Sequence, residues 1–586
     1  MRRLLPLALC CGVVLLVLAP VLADPAGRAL GLRYVDGFGT QWWFWYLGEV
    51  LAGREDLTHT TLLFYPTGKE VFGHTGGNLF DALCAWPLRR LFGDAAGYNL
   101  WIAVLLASNF AGGSVLGRAF SDRPGWLGGL VLALNPFVLQ ELAGGRPTQA
   151  WLAFPALALA GTWRAERVRT AVGTGIAVAL SGWTYWYAGV LVGVLALGVG
   201  LARIVLRPER LRSAALLGLA AGVAGLLVAP ALVMVGEALD GGRVPGLLAV
   251  DGTGVLAPLA LRTVEGDAAG LYVLAPLKGV SGSVTGDPEP TFAAAFPTMS
   301  FAALGASVLA AAFAARARAW VSLAVAVAVF VVAALVASGP IVAWGDGWVV
   351  NRPWVEAVSR LQVLRRWWWP GRAVVGVYLA FAMAVPWLGS WRWRGWAPLP
   401  LLAAVGVGVE VWRTEQLPLP TWDAHVPGPL RCLRAAPDGA VIDLPFLSDQ
   451  RNLWFQTHHG HPLLSGMMVR NPQFGSASAV ALRADNGLLD LLLDYGELQL
   501  TRDPTFDEAD RAALIAAGFR YVVVDLTRLE GTHVGRADSV FGKSLWPRVK
   551  RLLRPVLGEP AAEAEGVALY TLDGTPLECG GLGAVP

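Results

Sequence analysis

Acidic and basic side chains near the ends of apolar segments are the residues of this chain best suited to chemistry. Asp36 precedes an aromatic-rich stretch and is followed by Gly37. A carboxylate at such a place can orient a hydroxyl group and remove its proton. An aspartate before a glycine is also common at turns and helix caps, so a catalytic and a structural role stay open. Glu141, beside Arg146, is the candidate for a second carboxylate, with a local ion pair as the alternative.

Four arginines cluster at the outer end of the tenth predicted span, near residue 372, beside a Trp-Trp-Trp-Pro sequence: Arg360, Arg365, Arg366 and Arg372. Guanidinium groups bind phosphate through paired hydrogen bonds, which predicts a site for an anionic group such as a lipid phosphate. The alternative is a set of arginines that extend to the membrane surface beside a tryptophan belt. Arg365, Arg366 and Arg372 are the candidate phosphate-binding residues.

Three histidines lie close together in the C-terminal part of the chain: His458, His459 and His461. Imidazole is a common zinc ligand. However, no carboxylate or cysteine stands at a familiar ligand spacing, and short motifs often match by chance. We therefore expect a structural turn that contacts an acceptor rather than a zinc site. The sequence leaves open whether the protein needs a divalent cation.

The composition is that of a membrane protein. Of the 586 residues, 55% are hydrophobic and 15% are charged, whereas a soluble globular chain has about 25% charged residues. The net charge of +3 and the lack of a basic stripe argue against nucleic acid as a partner. The five cysteines include no CxxC pair, which argues against a cysteine metal site. Cys432 and Cys579 could pair if the C-terminal part lies outside the cytoplasm.

Eleven apolar stretches are predicted to span the membrane, because a bilayer core needs about 20 apolar residues per helix. They lie near residues 4–23, 97–117, 125–142, 148–163, 169–186, 187–206, 213–236, 297–315, 319–338, 372–390 and 396–412. Glycine pairs within them, such as Gly112–Gly113 and Gly128–Gly129, are predicted to serve helix packing. The first stretch also fits a cleavable signal peptide, although we favour its retention as a helix.

Arginines in the short loops determine the predicted orientation. With the N-terminus in the cytoplasm, every short cytoplasmic loop carries arginine, as the insertion bias requires. The long 238–296 loop then lies outside and is rich in acidic residues. An odd number of spans places the C-terminus outside the cytoplasm as well.

Two parts are predicted, an α-helical transmembrane domain over residues 1–413 and a soluble extracytoplasmic α/β domain over residues 414–586. In the second part, short buried strands alternate with helical patterns, which predicts a largely parallel sheet. The change in composition near the Leu-Pro-Leu-Pro sequence at 417–420 marks the linker between the two parts.

The first outer loop, residues 24–96, is predicted to lie on the membrane surface. A helix near 40–52 would place its aromatic side chains at the membrane boundary. A second helix near 78–93 would turn Asp81, Arg89 and Arg90 toward water. Both helices would hold the preceding aspartate just outside the bilayer.

Several of these features together resemble the bacterial GT-C-type membrane glycosyltransferases, in particular a poorly characterised branch with a C-terminal extracytoplasmic domain. The resemblance rests on an aspartate soon after the first span, an aromatic-rich surface helix and a Phe-Tyr-Pro-Thr-Gly turn at 64–68. Further matches are Asn-Pro-Phe at 135–137, the arginine-rich run that ends in Pro-Gly-Arg at 370–372, and Phe-Gln-Thr-His-His-Gly-His-Pro at 455–462. The resemblance extends over nearly the whole chain, but each of its motifs is loosely defined. It implies that the first helix is retained.

The resemblance implies a GT-C-like fold in a bacterial inner membrane. It also implies transfer of a sugar from a polyprenyl-phosphate-type donor to an extracytoplasmic glycan, lipid or protein. Asp36 matches the position of the acidic residue that acts as catalytic base or positions a metal, and arginines would stabilise the phosphate leaving group.

The sequence departs from the pattern of this family at one point, which leaves a second class of function open. Many GT-C enzymes pair two acidic residues at the first-loop site, whereas Gly37 follows Asp36 here. The alternative is therefore a non-catalytic membrane protein that binds lipid or assists polysaccharide export on the same scaffold. A transporter is disfavoured, because few charged residues fall within the predicted spans.

Overall fold

A computed structural model describes most of the chain. It covers residues 4–31, 36–71, 79–240, 300–337, 341–344, 347–350, 356, 370–392, 397–413, 417–446, 451–466, 477–497, 501, 503–526 and 546–577. Among these residues, seven helices are long and apolar enough to cross a membrane. The protein is therefore an integral membrane protein with an α-helical membrane part.

The seven helical spans are Leu4–Val21, Asp94–Ser121, Trp126–Ala143, Trp186–Leu206, Arg210–Met234, Trp320–Ala337 and Gly371–Ser390. The four other predicted spans coincide with shorter helices, Ala153–Trp163, Val168–Thr184, Phe301–Arg316 and Pro398–Arg413. The total of eleven spans stays a prediction, because these four helices have fewer than 18 residues.

Glycines allow two of the membrane helices to approach closely. A Cβ atom on Gly113 would overlap the carbonyl group of Gly128, and one on Gly129 would overlap the carbonyl group of Phe110. A larger residue at either glycine would push the helices apart. The structure confirms the predicted packing role of these glycine pairs.

Two compact units make up the chain. The first contains Met1–Leu32, Gly76–Gly236 and Gly246–Trp422, and the second contains Arg33–Thr75, Glu237–Pro245 and Asp423–Pro586. We call them the membrane unit and the C-terminal unit. The middle of the first outer loop therefore belongs to the same unit as the C-terminal part of the chain.

A four-stranded sheet forms the centre of the C-terminal unit. In spatial order its strands are Ala440–Leu444, Phe519–Asp525, Val567–Thr571 and Ala562–Ala564. Only the first pair is parallel, and the other two pairs are antiparallel. The prediction of a largely parallel sheet is therefore wrong. The reason is a tight turn at Glu565 and Gly566, both with positive φ, which joins the last two strands as a hairpin.

Helices accompany this sheet in the C-terminal unit. They are Gly37–Leu51, Gly428–Arg434, Arg451–His459, Ala477–Asp485, Gly487–Gly496, Glu508–Ala516 and Trp546–Leu557. Cys432, in the second of them, is disulfide-bonded, and Cys579 lies outside the described residues.

The aromatic helix Gly37–Leu51 packs against the helix Arg451–His459. Trp42 and Tyr46 are fully buried, and their rings stack with centroids 4.6 Å apart. The Trp42 indole nitrogen donates a hydrogen bond to Gln456 Oε1 at 2.7 Å. These rings therefore face protein, and the position of this helix at the membrane boundary stays a prediction.

The helix Leu79–Phe92 forms as predicted, and Arg90 is exposed, but Asp81 and Arg89 do not face water. Asp81 is fully buried, and Arg89 is 7% exposed and forms an ion pair with Asp94. Gly97 explains the burial, because its lack of a side chain brings the next helix against the backbone of Arg89.

Gln456 connects the two sequence-distant parts of the C-terminal unit. Its Nε2 donates to the Leu62 carbonyl at 2.6 Å and to the His461 carbonyl at 3.0 Å. We expect Gln456→Ala to destabilise this unit by about 1–3 kcal/mol, because the buried Trp42 N–H loses its acceptor. Faster amide hydrogen exchange in Gly37–Leu51 is the measurement.

Thr457→Ala is the matched control for this variant, because the Thr457 hydroxyl bonds only within its own helix, to the Trp454 carbonyl. Unchanged exchange in Gln456→Ala would contradict the role of Gln456 as a connector.

Candidate functional site

A buried carboxylate lies between two arginines in the membrane unit. Glu141 is 1% exposed and forms an ion pair with the Arg146 guanidinium. Its Oε1 lies 3.9 Å from Nε of Arg372, which is 231 residues further along the chain. The structure therefore joins two of the predicted site residues, Glu141 and Arg372, in one cluster.

Local sequence places Glu141 and Arg146 side by side. The Asn135 side chain caps the helix Pro136–Ala143 by accepting a hydrogen bond from Val138 N at 3.0 Å. A turn at Gly144 and Gly145 then reverses the chain, and the Arg146 N–H donates to the Glu141 carbonyl at 2.8 Å. This turn folds the arginine side chain back onto the carboxylate.

Gly144 makes room for the Arg146 guanidinium. A Cβ atom on Gly144 would lie 2.6 Å from Arg146 Nη2. Any side chain at this position would force the guanidinium to move from its present place beside Glu141. The two glycines are therefore part of the site, although no sequence pattern pointed directly to that role.

Tyr185 is the fourth member of the cluster and was not predicted. It occupies the break between the helices Val168–Thr184 and Trp186–Leu206. Arg372 Nη1 donates a hydrogen bond to the Tyr185 hydroxyl at 2.8 Å, and its guanidinium lies 5.7 Å from the ring centroid. The sequence signal was a Tyr-Trp-Tyr run at 185–187 between two apolar segments.

The cluster is suited to binding an anion. One carboxylate and two guanidinium groups sum to one positive charge, and the Arg372 side chain is 15% exposed. Charges in such a poorly hydrated place interact more strongly than charges in water. A phosphate that contacts Arg372 would balance the charge of these three groups and accept hydrogen bonds from the guanidinium.

Asp36 belongs to the C-terminal unit and is exposed. It stands at the N-cap position of the helix Gly37–Leu51, but its side chain forms no capping hydrogen bond. Its backbone carbonyl accepts from Thr40 N at 2.8 Å. The capping role considered for this side chain is therefore absent, and its catalytic role stays a prediction.

The histidines take part in backbone contacts. The ring nitrogens of His461 lie 2.9 Å from the Gly439 carbonyl and 2.8 Å from the Leu433 carbonyl. His459 Nδ1 accepts from the His461 N–H at 3.0 Å, and burial lowers the pKa of His459 well below its usual value. His458 packs edge-on against an indole ring of its own helix. Acceptor contact by these residues stays a prediction.

No group of three or more His, Cys, Asp or Glu side chains that could hold a metal ion occurs within the described part of the chain. Two guanidinium groups beside Glu141 would also repel a divalent cation. Arg360, Arg365 and Arg366, the other members of the predicted arginine cluster, lie outside the described residues.

Two solved membrane glycosyltransferases are similar to this structure. The oligosaccharyltransferase of Archaeoglobus fulgidus, tethered to an acceptor peptide, matches with a TM-score of 0.52 and 11% identity over 93% of this chain and 72% of its own. The mycobacterial arabinofuranosyltransferase AftD matches with a TM-score of 0.55 and 16% identity over 98% of this chain and 41% of its own. The chain therefore has the GT-C-type membrane glycosyltransferase fold that the sequence predicted.

At the level of sequence, no protein-family model matches the chain, and no curated protein is significantly similar to it.

Proposed function

We propose that the protein transfers a sugar from a polyprenyl-phosphate-type donor to an acceptor on the extracytoplasmic side of a bacterial inner membrane. The observation that carries this proposal is the buried Glu141–Arg146–Arg372–Tyr185 cluster within a GT-C-type fold. The two similar solved proteins are a transferase of oligosaccharide and one of arabinofuranose, which supports the reaction class.

Arg372 binds the donor phosphate in this proposal. Its guanidinium is oriented by the Tyr185 hydroxyl and by Glu141, so little reorganisation is needed when negative charge develops on the leaving phosphate. Glu141, the candidate second carboxylate, orients this guanidinium. Arg365 and Arg366 precede Arg372 closely in sequence and would add positive charge to the same end of the span.

Asp36 acts on the acceptor. An acceptor hydroxyl oxygen attacks the anomeric carbon while the bond from that carbon to the phosphate oxygen breaks. Polyprenyl phosphate leaves with the bonding electron pair, and the hydroxyl proton passes to the Asp36 carboxylate. We derive no step through a metal ion, because the described neighbours of Glu141 do not suit one.

An extracytoplasmic C-terminal unit is part of the proposal. Cys432 is disulfide-bonded, and disulfides persist in oxidising compartments rather than in the cytoplasm. The arginine-rich short loops support the same orientation, with the N-terminus in the cytoplasm. The C-terminal unit would then help to select the acceptor.

Arg372→Gln tests the donor site. We expect native mass spectrometry to detect polyprenyl phosphate, or its sugar adduct, on the purified protein. The variant should retain about 10 to 100 times less, since hydrogen bonds to charged groups contribute roughly 1.5–3 kcal/mol.

Arg392→Gln is the matched control for the donor-site test, because Arg392 is an exposed arginine near the other end of the same span. Equal lipid retention by both variants would refute the donor site. Bound lipid without any sugar transfer would favour the non-catalytic alternative.

A further inference from the structure

A groove lies on the side of the membrane unit, away from the Glu141 cluster. Its volume is about 610 Å³, and it runs between the helices Asp94–Ser121, Ala153–Trp163 and Val168–Thr184. Most of its wall is apolar and includes Val115, Phe154, Leu157, Ile176 and Leu180. Several of these side chains are open to the outside of the unit, as in a groove that faces lipid.

Arginines lie at one end of the groove. Arg164 is engaged there, because it pairs with Asp122 and donates from Nε to the Ala119 carbonyl at 2.9 Å. Arg118 is exposed and forms no ion pair within the described part of the chain. The groove therefore combines an apolar wall with an exposed guanidinium group at one end, that of Arg118.

This end is opposite to the Glu141 cluster. The helix Asp94–Ser121 ends near Arg118, and the following segment Trp126–Ala143 packs against it and returns to Glu141. Arg118 and Glu141 thus lie at the two ends of a helical hairpin. With the predicted orientation, the arginine end of the groove is at the cytoplasmic leaflet.

Glycines keep the groove open. A Cβ atom on Gly173, which lines it, would meet nothing within 4 Å. A large side chain at this position could therefore enter the groove without displacing backbone. A substitution at Gly173 can therefore fill the groove while the fold stays intact.

We propose that the groove binds one anionic glycerophospholipid of the cytoplasmic leaflet, with an acyl chain along the apolar wall and the phosphate at Arg118. The charge of the arginine end and the lipid-facing apolar wall match the two parts of such a molecule. Arg167, just before the helix Val168–Thr184, and Arg169, in its first turn, are exposed and add positive potential at the same level of the membrane.

Native mass spectrometry with added phosphatidylglycerol and phosphatidylcholine of identical acyl chains tests this site. We expect the unmodified protein to retain one phosphatidylglycerol in preference to phosphatidylcholine. Gly173→Phe should lose that adduct. Arg118→Gln should lower the preference about fivefold, as for one arginine–phosphate contact at a membrane surface.

Matched controls separate this site from general lipid contact. Gly193→Phe places the same side chain in open space on the helix Trp186–Leu206, outside the groove, and Arg392→Gln removes an exposed arginine elsewhere. Both controls should retain the adduct. Equal retention of the two lipids by the unmodified protein, or an adduct that survives both Gly173→Phe and Arg118→Gln, would overturn the proposal.

Discussion

Glu141→Ala should lower the free energy of unfolding by about 3–5 kcal/mol, the largest effect that we expect from a single substitution. The physical reason is that Arg146, with a side chain 7% exposed, would keep its charge in a buried place without the Glu141 carboxylate. Arg372 would lose the same neighbour. Unfolding by SDS titration in mixed micelles measures the change.

A double variant distinguishes a structural from a chemical role of Glu141. Glu141→Leu combined with Arg146→Met removes the buried pair together, so most of the stability should return. If Glu141 only balances charge, donor binding returns as well. If it orients Arg372, as we propose, the double variant stays deficient in polyprenyl phosphate.

Glu209→Ala provides the comparison with an exposed pair in the same unit. Glu209 Oε2 lies 3.2 Å from Arg212 Nη1, and both side chains are more than 60% exposed. We expect a change within about 1 kcal/mol. A Glu141→Ala effect as small as that of Glu209→Ala would show that the Glu141 cluster is hydrated and not a buried site.

Asp36→Asn should reduce sugar transfer by about 10² to 10⁴-fold, the usual contribution of a general base. The amide keeps the size of the side chain but cannot accept the hydroxyl proton. Because Asp36 is exposed, the unfolding midpoint should change little. The assay uses the lipid-linked sugar that native mass spectrometry identifies.

Asp438→Asn is the control for the Asp36 variant, since Asp438 is an exposed aspartate in the same unit. It should transfer sugar at the rate of the unmodified protein. Full turnover in Asp36→Asn would remove Asp36 from the catalytic role. Retained donor lipid with lost transfer is the result that the proposal requires.

The membrane class and the helices could be predicted from sequence because they depend on local properties. Each of the eleven apolar stretches contains a helix among the described residues, since an apolar segment in a bilayer must satisfy its own backbone hydrogen bonds. The Glu141–Arg146 pair was also visible, because its members are five positions apart, with a glycine turn between them. The GT-C-type fold followed from motifs spread along the chain.

Only the tertiary structure decided which distant segments meet. Tyr185 and Arg372 lie 187 residues apart, and their hydrogen bond depends on how membrane helices pack. The aromatic helix was predicted to face the membrane, because composition alone does not distinguish a lipid-facing ring from one buried against protein. Its partner, Gln456, is 414 residues from Trp42.

Sequence by itself therefore indicated the helical segments, the carboxylates and the arginines of this protein, because hydropathy and charge are properties of single segments. The tertiary structure decided that Glu141, Arg146, Arg372 and Tyr185 form one site. It also decided that the middle of the first outer loop belongs to the C-terminal unit, where Trp42 bonds to Gln456. Burial and pairing are properties of the packed molecule, and no single segment carries them.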